Sequence, residues 1–190
     1  MNLMAVGVVV VILMVSLGSA SAESTTRTPL RTVDSVDLSR YSGTWYEIAR
    51  YPNRFQRECQ SDTKAEYTLR KDGKVQVVNS CRQKDGKVKT ARGTAKVADK
   101  ATNAKLRVTF FWPFYGDYWI IGLSSDYRYA IVGEPKRKYL WILSRTPEMD
   151  ETTYQEIVKQ IRAAGYDPDK LIKTPHSPSD GKPAAHSVSN

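Results

Sequence analysis

Catalysis in a protein calls for a reactive thiol, an imidazole, a positioned acid or a set of metal ligands, and this chain is poor in all of them. Its cysteines are Cys59 and Cys81, and its histidines are His176 and His186. Neither cysteine has a His or second Cys at metal-ligand spacing, so no metal site is expected. A lone cysteine pair in an exported chain reads as a disulfide, Cys59 to Cys81. Both histidines fall in the terminal stretch from Pro175 to Asn190, which is rich in Pro, Ser, Gly and Lys and has little to bury. That argues against a histidine-based centre, and no cofactor is expected. Glu47 stands among apolar residues, either as a polar contact for a ligand or as the buried partner of a basic residue. What the chain does have is aromatic surface: Phe110 to Trp119 holds seven aromatics in ten residues. Aromatics supply the large, stiff apolar area that a pocket for an apolar ligand requires, although part of them must fill the core.

The elements that would position these residues alternate with a period of two. Gly43 to Arg50 reads as a strand with Trp45, Glu47 and Ala49 on one face and Tyr46, Ile48 and Arg50 on the other. Further strands are predicted over Thr63–Arg70, Val75–Gln83, Val88–Val97, Lys105–Trp112, Phe114–Leu123, Asp126–Gly133 and Tyr139–Arg145. Asp72-Gly73 and Asp85-Gly86 are hairpin signals. A tight turn at the first pairs Leu69 with Gln76 and Tyr67 with Val78, whereas a bulged turn sends Val75 and Val77 inward, and both registers stay open. Eight short strands in succession with no helix between them make an all-β, up-and-down antiparallel barrel or a sandwich. One helix follows, from about Asp150 to Ala164, with Thr152 and Gln155 as a capping box. Its stripe of Tyr154, Ile157, Val158 and Ile161 suits docking on the barrel wall.

The ends and the charge limit the setting. Residues 1–22 carry no charged side chain and end in Ala20-Ser21-Ala22, the pattern of a signal peptide cleaved before Glu23. The missing Lys or Arg ahead of the apolar run leaves an uncleaved anchor as the alternative. No cysteine follows that run, so the exported protein is expected to be soluble rather than lipid-anchored, periplasmic in a bacterium and secreted otherwise. Residues 23–36 read as an extended lead-in, 37–174 as one domain and 175–190 as a disordered tail. The net charge of +9 suits fatty carboxylates or an anionic membrane surface in an exported chain better than nucleic acid, and a solvated basic surface is the simpler single account of it.

Three runs together resemble the lipocalins, small eight-stranded barrels that carry apolar ligands. They are Gly43-x-Trp45, Ser124-Ser125-Asp126-Tyr127, where Ser125 stands for the usual Thr, and Leu140 to Pro147 with Arg145. The likeness covers residues 34 to 174, and in the runs from Gly43 to Arg50, Pro113 to Gly116 and Trp141 to Pro147 it is nearest to bacterial outer-membrane lipocalins and apolipoprotein D. It implies a barrel with the helix outside and with Arg145 packed over Trp45 at the closed end. Inward parity from Arg145 then makes Trp141 part of a pocket wall with Tyr67, Phe110, Trp112, Tyr118 and Ile120. The ligand implied is a long-chain fatty acid or lysophospholipid, bound by a monomer or weak homodimer. Other readings are a lipocalin-like enzyme acting on a lipid or isoprenoid, and an envelope protein that interacts through its basic face.

Overall fold

Period-two alternation becomes eight antiparallel strands: β1 (Gly43–Arg50), β2 (Cys59–Leu69), β3 (Val75–Gln83), β4 (Val88–Val97), β5 (Lys105–Phe111), β6 (Phe114–Leu123), β7 (Tyr129–Gly133) and β8 (Leu140–Ser144). The computed structural model describes residues 28–178, so the signal segment, the first residues of the lead-in and the tail beyond residue 178 lie outside the described residues. Each strand pairs with the next, and β1 pairs with both β2 and β8, which closes the sheet into a barrel. A ninth strand, β9 (Ile172–Lys173), has no signal in the sequence pattern. It joins β1 at Ala49 and Arg50, beyond Tyr46, where the β1–β2 pairing ends.

Side chains sort into two apolar layers. Trp45, Ala65, Tyr67, Val75, Val77, Leu106, Ile120, Val132 and Leu143 fill the barrel side. Ile48, Ala49, Ile131, Leu140 and Ile142 face outward and are covered by the helix α2 (Glu151–Ala163) through Tyr154, Ile157 and Ile161. Burying a side chain such as Ile157 contributes about 1.5–3 kcal/mol, enough to fix a helix that would be marginal alone. The helix starts from Asp150, whose carboxylate accepts from the Thr153 amide at 2.8 Å. The box expected at Thr152 and Gln155 does not form, because the Gln155 side chain donates to Glu151 instead.

Local geometry departs from simple alternation in three places. At Lys71–Gly73 the Arg70 amide bonds to the Lys74 carbonyl at 2.8 Å and only Gly73 has positive φ, 76°, which is a type I turn with a bulge. Leu69 therefore opposes Val75 and Tyr67 opposes Val77, and both valines are buried. In β1 a bulge at Ile48 places Glu47 opposite Leu143 but Ala49 opposite Ile142. Ala49 thus packs in the outer layer and Arg50 returns to the face of Glu47, the reverse of strict alternation. Finally, β7 begins at Tyr129 rather than Asp126, since Ser124 to Arg128 forms a turn with Tyr127 at φ 62°.

The lead-in and the start of the tail are both fastened to the barrel. The Val33 amide donates to the Ile120 carbonyl and that of Val36 to Thr102, and the side chains of Leu30 and Val36 are buried. The Asp62 amide donates to the carbonyl of Pro175, and Asp62 accepts from the amide and hydroxyl of Ser177. Residues 175–178 are therefore a strap rather than a loose tail.

Candidate functional site

The barrel encloses a cavity of about 770 Å³ that is closed at one end and open at the other. Trp45, fully buried, plugs the closed end, and the short helix α1 (Leu38–Tyr41) lies across it. The Arg145 guanidinium stands over the Trp45 ring at 3.8 Å and donates to the carbonyls of Thr44, Arg40 and Tyr127. Gly43 is required there: its φ is 98°, and a Cβ would lie 3.3 Å from the Arg145 side chain. Tyr127 completes the plug, accepting from the Asp37 amide through its hydroxyl and carrying the Arg40 guanidinium 4.0 Å above its ring. Asp126 accepts from the Arg128 amide and so holds the turn itself.

Above the plug the wall is mostly apolar: Tyr67, Val75, Val77, Leu106, Val108, Phe110, Tyr118, Val132, Trp141 and Leu143 all line the cavity. Of the residues that the sequence assigns to the wall, Tyr67, Phe110, Tyr118, Trp141 and Glu47 line the cavity. Two do not. Trp112 is 78% exposed and lies outside the cavity, because β5 stops at Phe111 and the chain turns before Pro113. Ile120 points inward but is fully buried in packing beneath the cavity, so it touches no free volume. Several wall residues escaped the sequence reading. Val75 and Val77 depend on the turn left open above, Gln56 and Phe55 sit in a loop that carries no period, and Tyr139 lies just before β8 begins.

Polar groups interrupt this wall, and Glu47 is the centre of a paired network among them. Glu47, buried, lies with one oxygen 3.2 Å from Arg50 Nε and accepts from Thr174 Oγ1 on that oxygen and from Gln56 Nε2, at 2.6 Å, on the other. Burial pushes its carboxyl pKa up, while the Gln56 and Thr174 hydrogen bonds and the Arg50 charge pull it down. Gln56 in turn accepts from Trp141 Nε1 at 3.0 Å, which fixes the indole in the wall. His176 donates through Nε2 to the Glu47 carbonyl at 2.8 Å, so this histidine belongs to the same network instead of a free tail. Asn79 also lines the cavity, and its amide oxygen is buried without a partner among the described residues.

At the floor three tyrosine hydroxyls meet. Tyr118 lies 2.8 Å from Tyr41 and 2.9 Å from Tyr67, oxygen to oxygen. Burial raises all three pKa values, that of Tyr67 to about 12, so the hydroxyls are neutral donors.

The mouth lies at the far end of β1 from Trp45. The Cys59–Cys81 disulfide, with Cα atoms 5.5 Å apart, ties the first residue of β2 to β3 there, and Glu58 pairs with Lys89 beside it. Phe111 and Phe114, 76% and 72% exposed, stack on the rim with ring centroids 6.4 Å apart.

An up-and-down barrel with an external helix, plugged at one end and holding an apolar cup at the other, defines a calyx for small hydrophobic molecules. The chain belongs to the lipocalin family, which binds such ligands; residues 36–176 match the profile of the lipocalin-like domain. It is 43% identical over 161 residues to temperature-induced lipocalin-1 of Arabidopsis thaliana, covering 80% of this chain and 86% of that one. Over 141 residues it is 44% identical to the outer membrane lipoprotein Blc of Escherichia coli K12, covering 74% of this chain and 79% of the other. Among solved structures, insecticyanin from the tobacco hornworm Manduca sexta superposes with a TM-score of 0.64 at 26% identity, over 78% of this chain and 85% of that one.

Proposed function

We propose that the barrel binds one single-chain lipid, a long-chain fatty acid or a lysophospholipid, with its tail among Tyr67, Phe110, Tyr118 and Trp141 and its head group at the mouth. The observation that carries this is the apolar cavity of about 770 Å³, closed at Trp45 and open between Phe111 and Trp141. Each methylene moved from water into such a cup contributes about 0.8 kcal/mol, so a long chain reaches micromolar affinity after the costs of association. Glu47 does not bind the ligand in this reading, since its oxygens are taken up by Arg50, Gln56 and Thr174. Titration calorimetry and native mass spectrometry with fatty acids and lysophospholipids of several lengths test it. One bound lipid per chain supports the reading, and no binding at any length defeats it.

The rim favours an addition to this reading, in which Phe111, Trp112 and Phe114 meet a lipid surface from which the ligand enters. Three adjacent large apolar side chains exposed on one hairpin beside the mouth suit the interfacial region of a bilayer, and the +9 charge suits anionic head groups. Among the described residues no helix is long and apolar enough to cross a membrane. Export by a signal peptide cleaved before Glu23, delivering a soluble protein, belongs to the same reading. Amino-terminal sequencing of the native protein checks it, and full-length protein recovered from membranes would sink it.

A further inference from the structure

The floor of the cavity has more hydrogen-bond donors than the protein uses. Tyr41 comes from α1, Tyr67 from β2 and Tyr118 from β6, and all three line the cavity. Their hydroxyls carry three protons but make two oxygen–oxygen contacts, 2.8 and 2.9 Å, both through Tyr118. However the donors are assigned, one O–H is left without a protein acceptor among the described residues. Tyr41 and Tyr67 are buried and Tyr118 is half-buried at the foot of the cavity, so a partner for that proton has to arrive through the cavity. Leaving a hydroxyl unpaired in such a place is costly. A floor shaped for a methyl end would be served as well by phenylalanine.

We infer that the tyrosine cluster recognises a neutral hydrogen-bond acceptor, a hydroxyl or carbonyl oxygen, at the buried end of the ligand; this rests on the calyx reading and narrows it to tail-oxygenated lipids. The acceptor must be neutral. A carboxylate brought to this floor would lose its hydration, and Arg145, although its charge is felt at Tyr41, has its N–H groups given to three carbonyls and none left to pair with it. Raised tyrosine pKa values agree with this, since the hydroxyls remain protonated donors across the physiological range.

The test compares ω-hydroxy fatty acids with methyl-ended fatty acids of equal length by calorimetry on the whole protein, across a series of lengths. Where the chain reaches the floor, the ω-hydroxy acid should bind about tenfold tighter or more, since a site built to hydrogen-bond a hydroxyl rejects the analogue that lacks it. In the triple variant Tyr41→Phe/Tyr67→Phe/Tyr118→Phe the order should reverse, because the floor then has nothing to offer the hydroxyl. Equal or weaker binding of the ω-hydroxy acids by the wild type at every length overturns the inference and leaves the calyx reading standing, with water meeting the spare proton. A triple variant that keeps the wild-type preference overturns it as well. If neither series binds, both readings fall. Should the triple variant not fold, the wild-type series decides alone.

Discussion

The guanidinium carbon of Arg145 lies 3.8 Å above the centre of the Trp45 ring, and the three nitrogens of that group donate to carbonyls of β1, of α1 and of the turn before β7. One side chain therefore joins three segments distant in sequence and caps the aromatic plug. Replacement by alanine loses the cation–π contact and leaves carbonyls unpaired, a cost of about 2–4 kcal/mol. Thermal unfolding of Arg145→Ala should shift down by roughly 5–15 °C in a chain of this size. Arg145→Lys keeps the charge but not the three-way fork, and should recover only part of the loss.

Opening the disulfide should loosen the mouth before it loosens the plug. Cys59 and Cys81 are 22 residues apart, and closing a loop of that size contributes about 3 kcal/mol in the chain-entropy model. The double variant Cys59→Ser/Cys81→Ser should unfold at lower denaturant and exchange its amide protons faster around Asn53 to Ser61. Unchanged midpoints would mean that the ladder between β2 and β3 holds the loop unaided.

Exposure separates two aromatics that sequence parity placed together. Tyr118→Arg puts a charge among apolar walls and should abolish binding of monomeric lipid in solution while the fold persists. Trp112→Ala removes a ring that is 78% exposed and outside the cavity. Its affinity for monomeric lipid should stay within about twofold of wild type, and its association with anionic vesicles should fall. Calorimetry and vesicle co-sedimentation read the two effects separately, and a Trp112→Ala variant that loses calyx binding would contradict the geometry.

The difference between Trp112 and Tyr118 also marks how far the sequence can be read. Alternation sorts the residues of a strand into two faces, so the strands and the docking stripe of α2 are legible in the sequence, while the inward sense of Trp141 comes from the resemblance that sets Arg145 over Trp45. It does not report depth or where a strand stops. Ile120 shares Tyr118's parity but lies below the free volume, and Trp112 continues Phe110's parity after β5 has ended. Nor does it foresee a bulge: one extra residue at Ile48 turns Arg50 onto the face of Glu47 and decides that carboxylate's partner. Gln56, Thr174 and His176 reach the same carboxylate or its backbone from a loop, from the residue after β9 and from the strap, where no period exists to place them.

The strap should respond to acid. Burial would raise the Asp62 pKa, but hydrogen bonds from the Ser177 amide, Ser61, Arg82 and the Ser177 hydroxyl outweigh it and bring the value down to about 2. The ordinary carboxyl titrates near 3.9. A folded pKa below the unfolded one contributes stability above that ordinary value, and the contribution is lost as pH falls through about 2. Amide exchange at Ser177 should therefore quicken between about pH 4 and about pH 2, ahead of the barrel. Asp62→Asn should show fast exchange at Ser177 across the whole range, with no step.

At the alkaline extreme the three floor tyrosines should titrate late, together with Tyr166, whose pKa burial also raises to about 12. Burial is the first cause of the raised values at Tyr41, Tyr67 and Tyr118, with Tyr67 brought to about 12. Here the folded pKa lies above the unfolded value near 10. The neutral cluster's contribution is thus complete below about pH 10 and is lost as pH rises toward the folded values. Ultraviolet titration should show a set of tyrosines that ionises only as the barrel unfolds. In the triple Phe variant that late set should shrink by three residues, and alkaline unfolding should move to higher pH. If all the tyrosines ionise together near pH 10 in folded protein, the floor is open to water, and the spare hydroxyl proton already has its partner.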